Sequence, residues 1–396
     1  MLKTSKLNWV FVLEIILFGL IVTGILPRAV VPYLAIALAV YVLFASLEDA
    51  TVLFVRSIPF FLAVPLTATF DNFNTWRILS AIIFVKWMWP RITNYKIQIT
   101  NKLKLSNLKI PLFLLLIFAA LSVIPAPDKM LAVKRVIYFL NLSLIGLVIY
   151  DLAQKQDFAK RLIKNISIPV IAVTVVGFIQ LGSTYLMDIY QFMDFWAGKV
   201  QFNQFGAGWS YIVYNLGNTW YAYYGEQISL RMFSLFPDSH SFPQFILLGL
   251  PAIFALFFNK KKILTVLASL IFLAAILTGT RGIWAAGAAS ALISVFWIFW
   301  FKKRELSQSN QKIFKKISLS LVAFFVLFVV AFPIFASPQF LLYKMDSELL
   351  AKRVRSIINF GETSNKERLR IWGLSLLSIK KHPLLGVGIG NFPVVL

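Results

Sequence analysis

Three arginines stand where a cation is costly. Arg231 lies in LRMFSLFPDSHSF, Arg281 in LTGTRGIW, and Arg368 in NKERLRIWGLSLLSIKKHPLLGVGIGNF. The surrounding chain is mostly apolar, and a cation at the centre of a membrane helix costs about 2.5–3.5 kcal/mol on insertion scales. Guanidinium is planar, permanently charged and matched to phosphate oxygens. Arginines gathered on one face of such a chain point to an anionic partner, most simply a phosphate or pyrophosphate.

Each arginine has informative neighbours. Arg231 precedes Pro237, which breaks a loop, and then Asp238, Ser239 and His240 at an expected helix start. Asp238 or Ser239 as a helix cap accounts for those two residues. It does not account for Arg231 or for His240, the candidate base. A helix N-terminus beside an arginine is also an anion site. Arg281 sits in a turn of almost no length, among Thr278, Gly279, Thr280 and Gly282. Small residues let backbone and guanidinium approach a bulky ligand; the plainer alternative is an arginine snorkelling to the interface. Arg368 stands beside Lys366, Glu367 and Arg370, before Trp372; Lys380, Lys381, His382 and Pro383 follow. Gly386, Gly388 and Gly390 read as GxGxG, but no parallel-strand unit surrounds them. A turn leading into the next helix is the plainer reading.

The elements that must position these residues are membrane helices. The 396 residues are 59% hydrophobic and only 14% charged, against about 25% charged in soluble domains. Mean hydropathy is +0.78. The expectation is an all-α, polytopic integral membrane helix bundle forming a single domain over residues 1–396. Apolar windows of membrane-spanning length fall near 9–26, 29–46, 51–70, 75–89, 110–125, 131–150, 166–186, 241–258, 263–279, 283–301 and 317–336, which predicts about eleven transmembrane helices. The fourth and fifth are short enough to be tilted or re-entrant.

The net charge of +23 does not imply nucleic acid. The basic residues sit in short runs between spans, and simple alternation puts those runs on one side. The positive-inside rule makes that side cytoplasmic, with the N-terminus inside and the arginine face outside, at the cytoplasmic (inner) membrane. Two larger extracytoplasmic loops result, about 187–240 and 337–396. Aromatics of the first would form an interfacial belt or stack on sugar rings. The second contains SELLAKRVRSIINF, amphipathic at helical spacing and suited to a solvated helix or to the headgroups. Because the last residues, GVGIGNFPVVL, open another apolar run, one or two further helices are expected past Leu396.

Several chemistries are disfavoured. Cysteine is absent and there are only two histidines, His240 and His382, so no metal site and no cofactor is expected. There is no P-loop, HExxH, GxSxG or outer pair of acids. Of Glu14, Arg56 and Lys86, in or near spans, only Glu14 is an acid; a coupled transporter would want several.

At these residues the chain resembles the O-antigen ligase and polymerase superfamily. Three elements carry the resemblance, in order: Arg231 leading into Pro237-Asp238-Ser239-His240, the TGTRG turn from Thr278 to Gly282, and ERLRIWGLSLLSIKKHPLLGVGIGNF from Glu367 to Phe392. The resemblance implies metal-independent glycosyl transfer on the outer face of the cytoplasmic membrane. The donor would be a glycan on undecaprenyl pyrophosphate, and the acceptor a lipid, a glycan or a protein. Arg231 and Arg281 match the arginines that hold the pyrophosphate, with Arg368 assisting. The ligases' base, a histidine beyond the Gly-Asn-Phe segment, has no counterpart before Leu396, and His382 belongs to a different element. A protein O-oligosaccharyltransferase is the alternative within the superfamily. A non-catalytic lipid-linked glycan exporter or an envelope-assembly scaffold is the alternative outside it.

Overall fold

A computed structural model describes residues 2–66, 73–93, 109–216, 220–224, 227–280, 282–286, 289, 293, 322, 326–327, 329–331, 334, 337, 339–340 and 363–395. They are mostly helical, with two small antiparallel hairpins. Two helices, Lys129–Ala153 and Gln156–Ser183, are long and apolar enough to cross a membrane. Arg28–Phe44, Ile110–Leu121 and Ser241–Phe257 are shorter apolar helices. The predicted count of about eleven is therefore not reached among the described residues. The windows 283–301 and 317–336 lie largely outside them, as does the amphipathic stretch near 350. The window 51–70 is not one span: its helix, Leu47–Ser57, gives way to a 3-10 turn at Ile58–Phe60 and a strand at Ala63–Val64. Pro59 and Pro65 explain the break, because proline lacks the N–H a helix interior needs.

The described residues cluster into two compact units. The first holds Met1–Ala35, Val55–Thr75 and Lys160–Ile357. In it the helix Leu2–Val22 buries Phe11 and Phe18 edge-on against Phe60, with ring centroids 6.1 and 5.4 Å apart. The same helix buries Glu14, whose Oε2 accepts a 2.6 Å bond from Ser57 Oγ. Arg56, also buried, donates to Asn165 Oδ1 and to Asn8 Oδ1. The buried Arg56 guanidinium is tolerated because both of these carbonyl oxygens accept from it. The helices Gln156–Ser183 and Ser241–Phe257 pack closely because glycines stand at their contact. A β-carbon on Gly249 would lie 2.2 Å from Val170, and one on Gly177 would lie 3.1 Å from Phe242. Small residues are what bring membrane helices together.

The second unit holds Ile36–Phe54, Trp76–Ala159 and Ile358–Leu396. Its centre is a pair of helices, Thr75–Thr93 and Lys129–Ala153. Arg77 stacks on Tyr138, Ser80 Oγ bonds Asn141 Oδ1 at 2.8 Å, and Trp87 Nε1 bonds Asp151 Oδ2 at 2.9 Å. Both numberings rise together, so the two helices run parallel. Lys86 Nζ reaches the carbonyls of Val42, Leu43 and Ala45, which satisfies the end of the Val31–Phe44 helix with the charge its dipole favours. After the Thr363–Lys381 helix the chain turns at 382–391. That turn docks on residues 122–128 through Asn391, which accepts from Asp128 N at 2.7 Å and donates to Asp128 O at 3.1 Å.

Candidate active site

The predicted outer loop 187–240 is a folded cap in its own right. Asp188 opens it with a capping box over Ile189–Met193, a π-helical segment follows at Asp194–Gln201, and two helices and a hairpin complete it. Several of its aromatics turn inward instead of outward. Phe192, Trp196, Trp220, Tyr221 and Phe233 are buried and form the cap's own core, with Trp220 stacked on Phe233 at 3.8 Å between centroids. Tyr190 and Tyr211 remain exposed. At the rim Tyr214 donates to Asp194 Oδ1 at 2.6 Å. Partial burial, that hydrogen bond and the Asp194 charge push the Tyr214 phenol up to about 12, so its hydroxyl keeps its proton at neutral pH.

The strand Gln227–Leu230 delivers the chain to Arg231. From there to Pro237 the backbone is pinned by buried amides. Gln180 Oε1 accepts from Phe233 N at 3.0 Å and Ser234 N at 2.9 Å, and its Nε2 donates to Ser234 O at 3.3 Å. Ser234 adopts φ +54°, unusual for a residue with a β-carbon, and its hydroxyl bonds Val173 O at 2.7 Å. Gln201 holds Phe236 O, and Trp220 Nε1 holds Pro237 O. Asp238 then accepts from His240 N and Ser241 N, both at 2.8 Å, and from Ser241 Oγ. Of the two expected caps, Asp238 is the one that serves the Ser241–Phe257 helix.

The Lys261–Leu277 helix ends at the other side of this site. Thr278 closes it, and Gly279 takes φ +62°, a left-handed conformation that ends helices and suits glycine. The first unit brings this turn against Arg231. Arg231 N bonds Trp220 O at 2.7 Å, Nε donates to Thr278 O at 3.2 Å, and Nη2 donates to Thr280 Oγ1 at 3.3 Å. A β-carbon on Gly279 would lie 3.2 Å from Arg231 Cγ. Thr280 Oγ1 also donates to Ser239 O at 3.0 Å and lies 3.5 Å from His240 Nδ1.

One hydroxyl links the two candidates: Thr280 Oγ1 donates to Ser239 O, accepts from Arg231 Nη2 and lies 3.5 Å from His240 Nδ1. His240 is exposed and Arg231 half-buried.

Of the four candidate residues, Arg231 and His240 are brought together. Arg281 follows directly on this turn but lies outside the described residues. Arg368 belongs to the Thr363–Lys381 helix of the second unit, and its side chain is not described. The three glycines of the GxGxG run adopt φ +65°, +90° and +78°. They form the turn that was the plainer reading. Gln180 and Gln201 support the segment from Arg231 to Pro237 and were passed over by pattern reading, since a lone amide carries no motif; Thr280 was noted only as a small residue beside Arg281.

A family model described as O-antigen ligase matches residues 264–395. The match covers about a third of the chain and supports the resemblance to the O-antigen ligase superfamily read from its residues. It covers Arg281, Arg368 and the glycine-rich turn, while Arg231 and His240 precede it. The family points to glycan transfer of the ligase or polymerase type, to lipid-linked glycan and acceptor as substrates in general, and to a membrane setting. The two long apolar helices are consistent with that setting. No curated protein matches the chain, and no solved structure does.

Proposed function

We propose that the protein transfers or polymerises a glycan carried on undecaprenyl pyrophosphate, without metal, on the outer face of the cytoplasmic membrane. Arg231 and Arg281 hold the pyrophosphate, Arg368 assists, and His240 serves as the base. The observation that carries this reading is the cluster of Arg231, the Thr278–Gly279–Thr280 turn and His240 around one hydroxyl. Guanidinium donors stabilise the charge that develops on a departing pyrophosphate, and such a leaving group needs no general acid. The acceptor hydroxyl loses its proton to the His240 imidazole as it attacks the anomeric carbon. Arg231 is already held on the turn by two acceptors, Thr278 O and Thr280 Oγ1, so it is oriented before the ligand arrives.

Transfer from a labelled undecaprenyl-pyrophosphate glycan in the presence of a chelator tests the proposal. Lipid A core, unmodified donor and a hydroxyl-bearing peptide are offered as separate acceptors. Wild-type protein is expected to form product, and Arg281→Ala to lower the rate at least about a hundredfold with its thermal midpoint unchanged. Undiminished product from that variant would sink the proposal. The acceptor used separates ligase, polymerase and protein transferase.

A further inference from the structure

We infer that Arg77 and Arg135 form a second anion site, in the unit built on the parallel helices Thr75–Thr93 and Lys129–Ala153, and that it takes the phosphate group of a lipid. The inference stands apart from the transfer reading, because none of these residues belongs to the Arg231 cluster. Arg77 lies with its guanidinium carbon 4.0 Å from the centroid of the Tyr138 ring and 5.5 Å from that of Trp76. Stacking occupies the faces of the guanidinium and leaves its N–H donors in the plane. Those donors have no acceptor among the described residues, and Nε is fully buried without one. A buried donor with no acceptor is a cost the fold carries unless a ligand relieves it.

Arg135 stands three residues before Tyr138 on one helix, hence on the same face. It is exposed and makes no ion pair or hydrogen bond with a described residue. Its stem lies flat against the glycine-rich turn: a β-carbon on Gly390 would fall 2.6 Å from Arg135 Cγ and 3.3 Å from its Nε. Gly390 is therefore the residue that admits this arginine. The turn itself is fastened by Asn391 to Asp128 and by Ile389 N to Ser122 Oγ at 3.1 Å. The backbone N–H groups of Gly388 and Gly390 donate to no described residue.

Charge placement runs against helix stability. Lys129, Lys134 and Arg135 crowd the N-terminal end of the Lys129–Ala153 helix, where the dipole is positive and favours anions. Asp128, the one acid in residues 122–138, is occupied as the cap of Leu131 N at 2.9 Å. A bound phosphate removes the conflict and meets both arginines. Because the helix that carries Arg135 is apolar and long enough to cross a membrane, the phosphate belongs to a lipid. Its sources are a polyprenyl pyrophosphate or an anionic glycerophospholipid.

The test counts lipids bound to the purified, delipidated full chain by native mass spectrometry. Polyprenyl pyrophosphate, phosphatidylglycerol and phosphate-free diacylglycerol are titrated separately. Arg77→Gln with Arg135→Gln is expected to lose one bound phospholipid equivalent, or to weaken it at least about tenfold, while diacylglycerol uptake stays unchanged. Arg231→Gln leaves that equivalent in place, so failure of the Arg231 site is read separately. The lipid that is lost identifies the source. Arg135→Gln alone, at an exposed position, and Gly390→Ala, which displaces the arginine, are expected to weaken the same equivalent should the double variant not fold. Unchanged binding in the folded Arg135→Gln variant, or equal loss of diacylglycerol, would overturn the inference.

Discussion

At the residue scale Thr280 is the joint of the site. One hydroxyl accepts from Arg231, donates to Ser239 O and faces His240 Nδ1. Gly279 makes this possible, because its left-handed φ of +62° turns the chain under Arg231. Gly279→Ala is expected to cost about 1–2 kcal/mol in backbone strain and to push Arg231 off the turn. Thermal unfolding in detergent should show a lowered midpoint. The transfer rate should fall by more than that loss of folded protein explains. A full transfer rate in the folded fraction would mean that Arg231 does not need this turn.

At the scale of elements, the cap over residues 187–240 exists to hold a short irregular segment. Residues 231–237 have neither helix nor strand to satisfy their backbone, and they are buried in large part. Gln180 supplies three of the missing bonds from the helix beneath. Gln180→Ala leaves Phe233 N–H, Ser234 N–H and Ser234 C=O unpaired, at about 1–3 kcal/mol for each group. The expected loss is about 3 kcal/mol or more, read as a lower unfolding midpoint and as faster proteolysis between residues 225 and 240. Gln180→Glu keeps an acceptor for the two N–H groups and should cost less. An Ala variant as stable as wild type would show that the segment is held by its apolar contacts instead.

At the scale of the molecule, orientation is the property with most at stake. Large side chains such as Trp9, Tyr33, Phe44 and Leu248 are exposed, as lipid-facing residues are and as water-facing ones seldom are in such number. The parallel run of Thr75–Thr93 and Lys129–Ala153 matches the direction that the basic loops predict for those two segments. The absence of cysteine makes the direct test clean. A single cysteine in place of Pro127 should react with a membrane-impermeant maleimide in intact cells, and one in place of Gln154 only after permeabilisation. The reverse pattern would turn the protein over and remove the outer-face reading.

The apolar windows, the positive loops and the three arginine segments were legible in the sequence, because hydrophobic length, charge placement and a short string such as TGTRG are local properties. Asp238 as a cap and the glycine-rich run as a turn were equally legible, since helix ends and positive φ are decided within a few residues. The tertiary structure alone decided which distant residues meet. Arg231 and Thr280 are 49 residues apart, and Gln180 lies 53 from the amide it satisfies. It also decided that a loop rich in aromatics would fold on itself, because burying Trp220 against Phe233 gains more than leaving either in water. Arg77 and Arg135 were passed over for the same reason. What relates them is Tyr138, on which Arg77 stacks and which stands one helical turn from Arg135, and a glycine from the far end of the chain; no spacing within the sequence encodes that arrangement.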